Sequence, residues 1–246
     1  MSRILVTGSA DGLGFATAQA LLAQGHDVVV HARNERRVDA VRPLVERGAG
    51  LIVADFSDRE AVLGAIADLN GLAPIDAVIH NAGVISGAAL MPVNVVAPYL
   101  VTALLAGPRR HIYLSSGMHR GGHASLDGVD WAGARATRTY SDSKLFVTTL
   151  MAAVARISPD LLSNAVDPGW VPTRMGGAGA PDDFGLGHET QEWLAASDDA
   201  EALTSGGYWY HRRRQQAHPA VNDRSFQDDL LARLEDATGV PLSRSR

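Results

Sequence analysis

The 246-residue sequence contains no cysteine, which removes disulfides, thiolate metal ligands and a cysteine nucleophile together. Lysine is nearly as scarce: of the 22 basic residues, 21 are arginine and one, Lys144, is lysine. No segment approaches the roughly 18 unbroken apolar residues of a spanning helix, and the apolar run after Met1-Ser2-Arg3 is too short for a secretory leader. These absences predict a soluble, cytoplasmic protein with no membrane partner. The most apolar long segment, 93–107, is interrupted by Asn94, Pro98 and Thr102 and reads as a buried or interfacial helix. A net charge of −5 argues against a nucleic-acid partner, so Arg212-Arg213-Arg214 reads as a solvated or subunit-facing run. The 25 glycines and 11 prolines follow no short period, which excludes collagen-like and repeat architectures.

What is present is a chain that is 46% hydrophobic and 20% charged, enough for one sizeable core. Short β-branched runs at Arg3–Thr7, Asp27–His31, Leu51–Ala54, Ile75–Ile79, His111–Ser115 and Leu162–Val166 read as strands. Helical spacing marks Gly14–Gln24, Glu35–Arg47, Arg59–Leu69, Val93–Leu105 and Tyr140–Ile157. Beyond Pro168 the pattern loosens, with a helix near Glu189–Ala196, a strand at Gly207–Tyr210 and a helix near Ser225–Ala237. Strict alternation predicts an α/β fold: a single doubly wound Rossmann-type domain over 1–246, its central parallel sheet flanked by helices on both faces, with 168–200 as a substrate loop or lid.

The turn Thr7-Gly8-Ser9-Ala10-Asp11-Gly12-Leu13-Gly14 joins the first strand to the first helix. Glycines there let backbone approach a pyrophosphate, and the helix start offers N–H groups and a positive dipole end. Gly8, Ser9, Gly12, Leu13 and Gly14 are therefore candidate dinucleotide contacts. The second strand ends Ala32-Arg33-Asn34 with no carboxylate before Glu35, and Arg36 and Arg37 follow. An arginine at that point pairs with a 2′-phosphate, so Arg33 predicts NADP(H) over NAD(H). Asp55, next to Phe56 after the third strand, is placed to accept from an adenine amino group; capping of the following helix falls to Ser57 or Asp58.

Tyr140 and Lys144 lie four apart at a predicted helix start, on one face. A phenol is a poor acid or base at neutral pH, and a nearby ammonium favours its ionised form. With five tyrosines, a lone lysine lands at i+4 of one by accident roughly 2% of the time (5 of about 245 positions). Arginine, bulky and planar, does not replace a compact ammonium between a phenol and a ribose.

Together with Asn81-Ala82-Gly83, Asn94, Ser115-Ser116 and Asp167-Pro168-Gly169, these motifs stand in the order of the short-chain dehydrogenase/reductase superfamily, which residues 3 to about 175 resemble. The resemblance implies an oxidoreductase moving hydride between a nicotinamide and a carbonyl or secondary alcohol. It gives Ser116 to the substrate oxygen, Tyr140 to proton transfer, and Lys144 to tuning Tyr140 and holding the nicotinamide ribose. It gives Asn94 to a relay water and sets Asn81, Ala82 and Gly83 beneath the ribose. Pro168, Gly169, Val171 and Thr173 would close over the nicotinamide amide. It also implies a homodimer or homotetramer through the helices at 93–105 and 140–157. From the residues alone, Ser115 competes with Ser116, because neighbours on a strand face opposite ways.

Two spacings depart from the pattern. Ten residues separate Gly83 from Asn94, fewer than is usual, while Ser116 and Tyr140 are 24 apart, resembling the retinol-dehydrogenase-like branches. The inserted 118–139 loop, with His119, His123 and Trp131, is expected to help shape the substrate pocket. Gly121-Gly122 between the histidines argues against a helix, and no metal site is expected. Trp170 and Met175 suit substrate contact or packing beneath a lid. The rival reading is a nucleotide-binding sensor without turnover, which would have no need of the proton-transfer set. An epimerase or dehydratase fits the glycine spacing and the modest length less well.

Overall fold

Strands that are apolar on both faces need cover on both sides, and helices placed between consecutive strands supply it. A computed structural model describes residues 1–242. Its strands are β1 (Arg3–Val6), β2 (Asp27–Ala32), β3 (Gly50–Val53), β4 (Ala77–His80), β5 (Arg110–Leu114), β6 (Leu162–Asp167), β7 (Gly207–Tyr210) and β8 (Arg213–Gln215). They form one sheet in the order β3-β2-β1-β4-β5-β6-β7-β8, parallel except for β8. The helices are α1 (Gly12–Ala23), α2 (Val38–Val45), α3 (Arg59–Asn70), α4 (Ala97–Leu104), α5 (Tyr140–Ile157), α6 (Phe184–Ala196) and α7 (Arg224–Thr238). One core layer joins Ile4, Leu21, Val30, Ile79 and Leu194 on the side of α1, α2 and α6. The other joins Val78, Leu100, Phe146 and Leu230 beneath α3, α4, α5 and α7. Strand order reverses between β1 and β4, which opens a crevice at their carboxyl ends.

Several expectations are corrected. The helix expected over 93–105 begins as a π-helical turn at Pro92–Val96, where the Ala97 N–H donates to the Pro92 carbonyl five residues back. Pro98 has no N–H to give the Asn94 carbonyl, so a regular α-helical ladder is broken there. The helix expected over 35–47 splits into a 3₁₀ turn at Glu35–Arg37 and the shorter α2. The arginine run is not merely solvated: Arg213–Gln215 forms the edge strand β8, entered through His211 and Arg212 at φ of 47° and 58°. Two consecutive left-handed residues make the tight hairpin turn whose twist matches its strands. A charged edge also discourages further strand pairing. Of the 168–200 segment expected as a lid, only 168–183 is loop, because α6 packs against α1, with Gln191 donating to the Thr17 hydroxyl inside.

The covering of α5 bears on assembly. Residues 142–154 of this helix are buried in the single chain. Phe226 of α7 lies 6.2 Å from Phe146, and Arg156 of α5 donates to Gln227 at 2.6 Å. Trp131 of the inserted loop packs on the same Phe146. The helix face expected to meet a second subunit is therefore covered by the chain itself. Among the described residues no helix is long and apolar enough to cross a membrane.

On the α5 side of the sheet, His80 and His111 are buried with their ring nitrogens 3.1 Å apart, and His80 stacks on Tyr113. Burial pushes His111 down to about 4 and holds His80 well below the ordinary imidazole value, with the His111 neighbour adding to the effect. The unfolded chain thus binds more protons between the two values, so stability falls as pH drops from about 6.5 towards 4. The expected loss for His111 is about 3 kcal/mol at the acid end. Thermal unfolding across this range should show the slope, and His80→Phe/His111→Leu should flatten it. An unchanged slope would assign the acid sensitivity elsewhere.

Candidate active site

The glycine turn is built by hydrogen bonds across the reversal point. The Thr7 hydroxyl accepts from the Asn81 and Ala82 N–H groups at 3.0 and 2.9 Å. The Asn81 side chain donates back to the Thr7 and Gly8 carbonyls. Gly8 has φ +68°, and a Cβ there would lie 2.8 Å from Ala82 Cα. At Gly14 a Cβ would lie 2.4 Å from both the Gly8 carbonyl and the Asn81 amide. Ser9 is wholly buried, its hydroxyl donating to Val6 and accepting from the His31 N–H. Its side chain is a strut under the turn and is not aimed into the crevice.

At the outer end, Arg33 is exposed and its charge reaches Asp55. Arg37 lies across the glycine turn, donating to Asp11 at 2.6 Å and to the Ala10 carbonyl. Burial pushes the Asp55 carboxyl up, but bonds from the Ser57 hydroxyl and N–H, with Arg33 nearby, leave it below its ordinary value. Asp58 caps α3 as expected, through the Glu60 N–H. Phe56 is buried and stacks on the His31 ring at 4.1 Å, so it supports the crevice wall from behind. The Asn34 side-chain oxygen is buried with no partner among the described residues, at the end of β2 where a ribose would lie. This orphan and the glycine cradle fit a dinucleotide.

At the inner end, Thr139 and Asp142 form a reciprocal cap that starts α5 at Tyr140. Lys144, one turn on, is buried and sits 5.5 Å from the Tyr140 ring centre, its Nζ donating to the Leu114 carbonyl at 2.6 Å. Burial separates the two serines. Ser115 is enclosed and bonded to Thr148, whereas Ser116 faces the cleft beside the Tyr140 hydroxyl. Burial, then the negative Asp167, push the Tyr140 phenol up to about 12, against the hydrogen bond from Ser116. Burial brings Lys144 down to about 8, with Asp167 opposing. In the bare protein burial and Asp167 thus keep the phenol neutral and proton-bearing, with no nicotinamide charge beside it.

Asn94 clamps Val84 in both directions at 2.9 Å and donates to the Ser143 hydroxyl. Both its amide protons are engaged, and these bonds tie the 81–84 turn to α5. The lid loop reaches the same crevice. Gly169 donates to Asp167, a Cβ on Gly12 would touch Thr173, and Val171 is buried behind them. Met175 Sδ lies 3.8 Å from the Tyr140 hydroxyl.

The inserted loop departs from expectation. His119 is fully buried, bridging the Ser116 carbonyl and the His218 N–H, and His123 turns to Asp142. Trp131 lines a separate cavity of about 350 Å³, with Val62, Leu100 and Ala237, and none of Ser116, Tyr140 or Lys144 borders it. Through Trp131 and His123 the insertion braces α5.

Comparison with known proteins agrees with this geometry. The short chain dehydrogenase profile matches residues 2–106. The short-chain dehydrogenase chry4 of Gibberella zeae is 35% identical, over 98% of this chain and 99% of its own. The chain belongs to the short-chain dehydrogenase family. It is accordingly an oxidoreductase enzyme. A crystal structure from Mycobacterium paratuberculosis superposes with a TM-score of 0.80 at 23% identity, covering 99% of this chain and 95% of the other. A blue fluorescent protein from a metagenomic library, solved in complex with NADPH, superposes at 0.69 with 22% identity, covering 85% and 95%.

The site of this short-chain dehydrogenase includes one residue that sequence reasoning missed. His31 accepts the Gly8 N–H at Nδ1, 2.9 Å, and donates from Nε2 to the Ala54 carbonyl at 2.7 Å. Burial holds its pKa down, against the Ala54 carbonyl and Asp55. A neutral ring can make both bonds; a protonated one loses the acceptor. The only signal in the sequence was a polar residue at the end of an apolar strand.

For Lys144, whose value is lowered, the charged form is lost as pH rises through about 8. Turnover should fall over that interval. Lys144→Arg keeps a charge but not the shape, and should lose most activity; near-normal rates in that variant would remove the lysine's special role.

Proposed function

We propose that the chain is an NADP(H)-dependent oxidoreductase acting on a carbonyl or secondary alcohol, with Tyr140 as acid and base. The observation that carries this is the meeting of Ser116, Tyr140 and Lys144 at the crevice whose other wall is the glycine turn. The bound nicotinamide supplies or accepts hydride at the substrate carbon. Tyr140 passes its phenolic proton to the substrate oxygen in reduction and takes it back in oxidation. Ser116 Oγ accepts from the Met118 N–H at 3.2 Å, leaving its own proton to donate to that oxygen. Lys144 holds positive charge beside the phenol and stabilises its ionised form as the proton leaves. Asn94 keeps the 81–84 turn against α5, and Pro168 to Thr173 close over the site from the lid.

Gly8, Gly12, Leu13 and Gly14 would cradle the pyrophosphate, and Arg33 would meet the 2′-phosphate. Arg37 is the second cation within reach, though Asp11 already pairs with it. Asp55 keeps one oxygen outside its Ser57 bonds for the adenine amino group. The NADPH-bound structural neighbour supports this cofactor reading. Any association between copies would use a face other than α5.

Tyr140→Phe should lower kcat by roughly 10²–10⁴, measured with NADPH and a carbonyl panel. Nucleotide binding without Tyr140-dependent turnover of any carbonyl would favour the sensor reading. Arg33→Ala should weaken NADPH binding more than NADH binding, measured by titration calorimetry; equal weakening would remove the phosphate role.

A further inference from the structure

Large apolar side chains that stay in water are informative when they gather in one place. Four lie on the three segments that border the crevice, and one of them, Met175, touches the Tyr140 hydroxyl. Ile85 (52% exposed) follows the Val84 held by Asn94, and Met118 (55%) follows Ser116 by two residues. Met175 (43%) touches the Tyr140 hydroxyl, and Trp170 (61%) stands on the same lid loop. The other two internal methionines, Met91 and Met151, are buried in the core at 2% and 1% exposure. Both internal methionines left in water therefore lie on segments of the crevice, Met118 two residues after Ser116 and Met175 against the Tyr140 hydroxyl.

The polar ends of these residues are spent. The Trp170 indole N–H donates to the Gly176 carbonyl at 2.8 Å, and its backbone N–H to Asp182 at 2.6 Å, so the ring offers only its π surface. The cations nearest the cleft are also engaged. Arg120 donates to the Gln216 carbonyl and lies over the Tyr208 ring; Arg174 faces Asp11; His123 is bound to Asp142. The buried carboxylate of Asp167, held by the Tyr208 hydroxyl at 2.9 Å, adds negative charge beside the catalytic groups. Lys144, the one buried cation there, is spent on the Leu114 carbonyl and the Tyr140 ring, so a substrate bearing a carboxylate or phosphate would meet no further buried cation and one fixed anion.

We infer that the preferred substrate is a bulky, uncharged aromatic ketone or aldehyde, gripped between Met118 and the Met175–Trp170 loop with its oxygen at Ser116 and Tyr140. Thioethers deform around flat rings and contact them favourably, and an exposed indole face adds stacking. The inference rests on the reductase reading above. Because Met175 lies on the Tyr140 hydroxyl in the bare protein, the loop shifts outward to admit the ring.

The test combines binding with turnover, using NADPH-loaded protein and three probes: 2-acetonaphthone, butanone and 2-oxobutyrate. The aryl ketone should quench Trp170 fluorescence, seen as the difference between wild type and Trp170→Phe, and its kcat/KM should exceed that of each other probe at least tenfold. Met118→Ala and Trp170→Ala should each raise KM for the aryl ketone about five- to tenfold and shrink its advantage over butanone. Preference for 2-oxobutyrate, or an equal loss on all probes in the variants, overturns the inference while leaving the reductase reading in place. Trp170-dependent quenching without Tyr140-dependent turnover of any probe upholds the aromatic site and overturns the reductase reading. Absence of quenching together with absence of turnover overturns both.

Discussion

The structure depends on a short set of hydrogen bonds across the point where strand order reverses. Thr7, from the end of β1, accepts two backbone N–H groups from the turn after β4, and Asn81 in that turn donates back to the carbonyls of Thr7 and Gly8. His31 adds a third attachment from β2. The backbones meet so closely that a methyl group on Gly8 or Gly14 would overlap them. Glycine here is a packing requirement as much as a conformational one. The same turn then runs through Gly83 and Val84 to Asn94 and Ser143, so the nucleotide cradle and the catalytic helix share one polar framework.

This framework explains why the proposed catalytic pair, Tyr140 and Lys144, can be costly in isolation and still be held in place. A buried phenol and a buried ammonium each resist ionisation, and here desolvation is the largest influence on both. Their positions come from the Thr139–Asp142 cap, the Leu114 carbonyl and the packing of α5, not from attraction between the two groups. The site is thus preorganised by the scaffold before any charge develops.

Legibility of these features in the sequence followed the range of the interactions behind them. The limits of α5 and of β7 were readable, because a local cap and a bounded apolar run set them. Ser116 could be separated from Ser115 only by seeing Thr148 close on the latter. The π-helical turn needed the clamp of Asn94 on Val84 as well as the visible Pro98. The β8 hairpin was hidden because His211 and Arg212 adopt left-handed backbone that neither residue advertises. His31, Arg37 and the bracing role of the inserted loop all depend on contacts fifteen or more residues away in sequence, as with Arg37 and Asp11 or Trp131 and Phe146. A pattern of local periodicity carries no trace of such pairs.

The way α7 and Trp131 enclose α5 has one further consequence. The helix that presents Tyr140 and Lys144 is buttressed from within its own chain, through Phe226, Gln227 and Asp228. Its alignment therefore does not wait on an encounter between molecules. Within the single chain, the positions of Tyr140 and Lys144 are set by contacts that the chain makes with itself.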